Sequence, residues 1–189
     1  MGSTTQEQIY PPEMAETIEH FRKIPQCANI LDQPHGEVVN PVGSRVLTNA
    51  LFNETLSLNN GILKSLFIIK RLQVNGAAAH EGHLFLDLGK GITGQKGVAH
   101  GGFLSAVMDQ VTGALLGNVG IDGGKGMWTV ALNVAYRNPV FVPSVVIVTA
   151  KVGKIEGRKI WVHGEIEDLD RNICTTAEVI FVVKRQHTI

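Results

Sequence analysis

The chain has 189 residues, 44% of them hydrophobic, and 17 Lys+Arg balance 17 Asp+Glu. That length favours one domain with a sizeable core. With no net charge there is no field to steer the protein towards nucleic acid or an acidic surface. Cys27 and Cys174 are far apart and form neither a CxxC pair nor a disulfide framework, so a reducing compartment is expected. No apolar run approaches the ~20 residues of a membrane span. The opening "MGSTTQEQIYPPE" lacks the basic and apolar regions of a secretory signal, and Gln6 stands where myristoylation wants Ser or Thr. These features point to the cytoplasm, with mitochondria left open.

In chain order, "EMAETIEHFRK" after Pro11-Pro12 spaces Met14, Ile18 and Phe21 as one helical face, with acids early and bases late. Pro25 is expected to end that helix. Residues 26–46, with Pro34, Gly36, Pro41 and Gly43, read as an irregular covering arm, so 1–46 is taken as an arm and 47–189 as the main domain. Residues 47–74 are strand-rich but ambiguous. "HLFLDL" (83–88) is a short strand followed by a Gly-rich loop. Residues 101–118 make the best central helix. In 127–136, alternation puts Trp128, Val130, Leu132, Val134 and Tyr136 on one face and Thr129, Ala131, Asn133 and Ala135 on the other. Residues 144–155, 159–168 and 172–183 continue the strand pattern, and the short turns "IEGR" and "DLDRN" predict antiparallel hairpins. The layout is α+β, one long helix against an antiparallel sheet.

The central helix carries a single charge, Asp109. At 100° per residue, Gly102, Ser105, Ala106, Thr112, Gly113 and Leu116 fall on its side, and Phe103, Leu104, Val107, Val111, Ala114 and Leu115 on the other. A helix without a charged outer face is a buried helix. A carboxylate buried there is either a satisfied structural group or a general base or nucleophile in an apolar cleft, where burial raises its basicity. The helix opens at His100-Gly101-Gly102. Its first N–H groups have no helical partner, and glycines let a carbonyl approach them, which is the recipe for an oxyanion site.

"GVAHGGFLSAVMDQVTG", with "WTVALNVAYRNPV" behind it, resembles the hotdog-fold acyl-CoA thioesterases of the phenylacetate-pathway and thioesterase-superfamily-member branch. The likeness covers about residues 80–183, including the closing "EGRKIWVHGEIEDLDRNICTTAEVIFVV". It implies a hotdog fold, a long central helix wrapped by an antiparallel sheet, and hydrolysis of an acyl thioester, CoA- or carrier-linked. By position, Asp109 matches the catalytic carboxylate, acting as base or nucleophile. Gly101 matches the glycine whose N–H polarises the carbonyl, His100 the histidine beside it, and Thr129 a Ser/Thr orienting water or the carboxylate. Gly102, Gln95, Ser105 and Asn133 are taken as substrate-binding. Some members carry Asn or Gln six residues before the histidine. Here that position is Gly94, with Gln95 one place later. The resemblance also implies a homodimer or dimer of dimers, with Asp109 of one chain facing His100 and Gly101 of the other, and no metal or redox cofactor.

Alternative readings are a hotdog dehydratase or isomerase, which usually uses a histidine base, and a non-catalytic acyl-CoA or lipid-binding protein. "GKGITG" (89–94) fits a dinucleotide fingerprint but lacks the helix and βαβ unit that motif needs. "HGGF" lacks the downstream GxSxG of an esterase. His80 and His83 fall on opposite strand faces, which disfavours a zinc pair. The acyl group is unnamed; its tunnel length depends on residues 47–79 and on the arm, which is placed to lid the site or to bind a partner.

Overall fold

A computed structural model describes residues 10–34, 36–39, 49–74 and 77–185. The stretch before Tyr10, arm positions 40–48 and the tail beyond Arg185 lie outside the described residues. The arm contains more regular structure than its prolines suggest. Helix α1 (Pro12–Arg22) starts with proline inside its first turn, where a missing N–H costs nothing, and carries Glu13 early and His20 and Arg22 late. Pro25 does not only end α1. It opens a second helix, α2 (Pro25–Leu31), for the same reason. Residues Gly36–Val39 form strand β1, which pairs antiparallel with β2 (Ile62–Val74). The reading of 26–46 as irregular is corrected at these two segments.

Downstream, a π-helical turn at Leu51–Thr55 precedes β2, and β3 (Ala77–Leu88) follows it. A 3-10 turn at Lys90–Ile92 leads into the small ribbon of β4 (Thr93–Gln95) and β5 (Val98–Ala99). No α-helix opens at the "GKGITG" glycines. The long helix α3 (Gly101–Val119) starts after β5, followed by β6 (Met127–Tyr136), β7 (Ser144–Glu156), β8 (Lys159–Glu167) and β9 (Ile173–Val183). The main sheet has the order β1-β2-β3-β7-β8-β9-β6, and every pairing is antiparallel. Strand β3 runs six residues further back than "HLFLDL" because its weakly patterned start is held by pairing with β2.

The sheet curls around α3. Phe103, Leu104, Val107, Met108, Val111 and Leu115 are buried against Phe67, Leu86, Val148, Val162 and Phe181. Gly164 on β8 permits this approach: a Cβ there would lie 2.8 Å from Met108 Sδ. The opposite face of the sheet is covered by α1 and α2, whose Ile18, Phe21, Cys27 and Ile30 pack on Leu66, Ile68, Phe85 and Ile147. Ties from Gln26 to the Leu169 carbonyl at 2.6 Å and from His20 to Asp87 at 2.9 Å fix this layer. Helices α1 and α2 therefore lie across the sheet from α3, while β1 extends the sheet beside β2 and puts Val39 against the α3-side core.

Strand β6 has a bulge. Thr129 pairs with Phe181 but Ala131 pairs with Ile180, so one residue is inserted between them. That insertion reverses the parity of the alternation. Thr129 shares the helix-facing side with Leu132, Val134 and Tyr136, while Ala131, Asn133 and Ala135 turn outward. The expectation that Thr129 and Asn133 share a face is corrected accordingly. Beyond β6 the sheet has no further strand among the described residues, and that edge exposes Trp128, Val130 and Tyr136.

Candidate active site at the start of the central helix

His100 is the N-cap of α3. Its backbone is extended, and its Nδ1 accepts the Gly102 N–H at 2.9 Å. An accepting Nδ1 places the proton of the neutral ring on Nε2, so the imidazole presents a donor outward. The cap also divides the helix's first N–H groups. Gly102 is satisfied by the histidine and Leu104 by the His100 carbonyl at 3.2 Å. Among the described residues nothing accepts the Gly101 N–H. The same holds for the Phe103 N–H, so the Gly101 N–H is one of two positively polarised donors left free at the helix start.

The departure at Gly94 has a steric cause. The β4–β5 ribbon folds back on the helix start, and His100 N–H donates to the Ile92 carbonyl at 2.8 Å. A Cβ on residue 94 would lie 2.7 Å from His100 Cδ2 and 3.0 Å from its Cα. No side chain fits at 94. Gln95 is exposed, opposite Val98.

Tyr136, which the sequence places on an apolar strand face within the family-like strand motif but gives no role in the site, holds the first turn. Its hydroxyl donates to the Gly101 carbonyl at 2.9 Å and lies 2.6 Å from Ser105 Oγ, which is then the donor of that second bond. A Cβ on Gly101 would meet the ring at 3.3 Å, so glycine and tyrosine fit together here. The available signal was the pairing of strand and helix motifs, but the bulge concealed which face Tyr136 occupied. Ser105, expected to bind substrate, is engaged by this tyrosine.

Two turns along, Thr129 Oγ1 donates to Asp109 Oδ1 at 2.8 Å. Asp109 is half-buried, as are Ser105, Ala106 and Gly113 along its stripe. The helix is thus buried on its sheet side and half-open along the small-residue stripe, where the sequence reading expected full burial. Asn133 lies on the far side of β6, in a shallow depression with His163 and Glu178.

Clefts flank the helix start. One, of about 300 Å³, is bordered by Gly101, Leu104, Tyr136, Arg137, Asn138 and Pro139. The other, of about 390 Å³, is bordered by His100, Gly102, Phe103, Ala106, Leu51 and Leu56. No helix among the described residues is long and apolar enough to cross a membrane.

A long helix gripped by a seven-stranded antiparallel sheet, with a glycine-rich capped start, defines the hotdog class, and solved structures agree. The yhdA protein of Lactococcus lactis superposes with a TM-score of 0.58 at 15% identity, over 63% of this chain and 92% of that one. The E. coli PaaI protein from the phenylacetic acid degradation operon superposes at 0.50 and 13% identity, over 56% and 73%. Within that class, residues 96–175 match the thioesterase superfamily. The acyl-coenzyme A thioesterase THEM4 of Xenopus laevis is 37% identical over 93 residues, 49% of this chain and 40% of that protein. The acyl-coenzyme A thioesterase THEM5 of Homo sapiens is 33% identical over 73 residues, 39% of this chain and 28% of that protein. The chain thus spans well under half the length of these relatives.

Proposed function

We propose that this protein hydrolyses an acyl thioester, carried by CoA or by a carrier protein, and does so in a site shared by two copies of the chain. The observation that carries this reading is the paired arrangement of a free N–H at the helix start and a carboxylate held by Thr129 on the same helix. The match of residues 96–175 to the thioesterase superfamily and the similarity to acyl-coenzyme A thioesterases support it.

Gly101 and Asp109 are eight residues apart, so about 12 Å separates them along the helix. Groups acting on one carbonyl must lie within about 3–3.5 Å of the reacting atoms. One chain cannot bring both to a single thioester. A two-fold pairing across the free β6 edge lays two α3 helices side by side in opposite directions, so that the carboxylate of each faces the start of the other. It also covers the half-open stripe and the exposed Trp128 and Val130.

In that site the Gly101 N–H takes the thioester oxygen as negative charge develops on it, and the His100 Nε2–H is a second donor at the helix start. Asp109 of the other chain either removes a proton from the attacking water or attacks the carbonyl carbon itself. Thr129 fixes which carboxylate oxygen is left free. In the first route water adds, the carbon–sulfur bond breaks and the proton taken by Asp109 passes to the leaving thiolate. In the second the bond breaks as an acyl–Asp109 anhydride forms, and water then cleaves that anhydride and supplies the thiolate's proton. Both end in the free acid and the thiol.

Thiol release from an acyl-CoA panel tests the reading. The wild-type protein is expected to release thiol, and Asp109→Asn to keep its circular dichroism while kcat falls about 10²-fold or more. Full activity in a folded Asn variant refutes the assignment.

A further inference from the structure

We propose that the acyl group is an uncharged aliphatic chain lying in the cleft between α3 and the segment at Asn49–Leu56, and that Leu51, Leu56 and Ala106 set its length. This rests on the thioester site described above and adds a specificity element whose outer wall, Leu51 and Leu56, lies outside the superfamily match, which begins at residue 96.

The cleft is largely apolar although it touches a polar helix start. Leu51, Leu56, Ile92, Phe103 and Ala106 line it, and among the described residues Thr93 and His100 are its polar side chains. The Thr93 hydroxyl donates to the Lys90 carbonyl at 3.0 Å and His100 Nδ1 accepts from Gly102, which leaves the His100 Nε2–H as the side-chain donor. A carboxylate, phosphate or sugar placed there gives up its hydration for few partners, all of them at the helix start. A methylene chain loses nothing. At about 390 Å³ the cleft lies within the range of small-molecule sites.

The cleft on the other side of the helix start is lined by apolar residues too, Val98, Ala99, Leu104, Pro139 and Val140, and differs in its charged border. Arg137 and Asn138 border it next to Gly101 and Tyr136. A thioester with its carbonyl on the Gly101 N–H has one substituent on each side. The apolar side suits the acyl chain, and the side with Arg137 suits the polar thiol carrier.

The outer wall is built rather than incidental. The Asn49 side chain donates to the Gln110 side chain on α3, next to Asp109. Leu56 N–H closes onto the Leu51 carbonyl at 2.8 Å, Ile62 N–H onto the Leu56 carbonyl at 2.7 Å, and Phe52 and Leu56 pack against the core. Leu51 nevertheless stands 48% exposed, at the cleft mouth, a costly position for leucine unless something apolar covers it.

Calorimetric binding of S-alkyl-CoA thioethers, from ethyl to dodecyl, reads the cleft without requiring hydrolysis. In the wild-type protein Kd is expected to fall by about fourfold per added methylene until the cleft is filled. Ala106→Leu fills the floor, so its series should level off at a shorter chain. Leu51→Ala, at an exposed position, should fold regardless and shrink the gain per methylene. A flat wild-type series, or variant series superimposable on it, overturns the proposal. A rising series without thiol release in the hydrolysis assay refutes hydrolysis and leaves the cleft standing. A flat series with thiol release does the reverse.

Discussion

Thr129 on β6 donates its hydroxyl to Asp109 on α3 at 2.8 Å, and the bulge in β6 is what turns that hydroxyl inward. The bond ties the edge strand to the carboxylate and directs one of its oxygens. Thr129→Val keeps the shape and removes the donor. The expected result is a kcat lower by about tenfold with KM little changed, since the interaction acts on the reacting group and not on ground-state binding. Thr129→Ser should recover most of the loss. Steady-state kinetics on one acyl-CoA check both, and an unchanged kcat in the valine variant demotes Thr129 to packing.

Mixing two inactive variants tests whether the site is shared. His100→Ala and Asp109→Asn are refolded together. In a mixed dimer one site takes its carboxylate from the first chain and its histidine from the second and is whole, while the other carries both lesions. Random pairing makes half the dimers mixed, so about a quarter of wild-type activity should return. No recovery after verified chain exchange refutes the shared site.

Tyr136→Phe removes a hydroxyl that bonds both the Gly101 carbonyl and Ser105. At this partly exposed position the loss should cost about 0.5–1.5 kcal/mol of stability. Loosening the peptides around Gly101 should also lower kcat, by up to about tenfold. Thermal unfolding and kinetics on the same sample check the pair. A phenylalanine variant with wild-type kcat shows that the hydroxyl does not position the helix start.

On the outer face of the sheet, His83 bonds Thr149 through Nδ1 at 3.1 Å. Burial, reinforced by Lys70 and Lys151 and opposed by Glu81, pushes its pKa down from 6.5 to about 4. The folded protein therefore binds fewer protons than the unfolded chain between those values. The stability that neutral His83 contributes is complete above about pH 6.5 and is lost as the pH falls towards 4. At about 1.4 kcal/mol per pH unit, the ceiling is about 3 kcal/mol. Urea unfolding at pH 7.5 and pH 4.5 should show a smaller acid loss in His83→Asn than in the wild type. Equal losses show that His83 is not the responsible group.

Long, periodic elements were determined by the sequence alone. The apolar spacing after His100 predicts a helix over 101–118, and it spans Gly101–Val119. The last strands follow from alternation and short turns, because hairpin pairing is local. The glycine-rich helix start and the single acid on the helix were equally legible, since each violates the composition around it. Only the tertiary structure decided what depends on register and on distant neighbours. The β6 bulge moved Thr129 onto the face of Asp109 and Asn133 off it, because one inserted residue reverses every side chain beyond it. Packing of the β4–β5 ribbon on His100 explains a glycine at 94 that pattern matching reads as a missing side chain. The helix and strand of the arm draw their stability from the sheet they cover and not from their own propensity, so their prolines gave a false signal. The separation of Gly101 from Asp109 is fixed by helical rise, and that distance is what makes a second copy of the chain part of the proposed site.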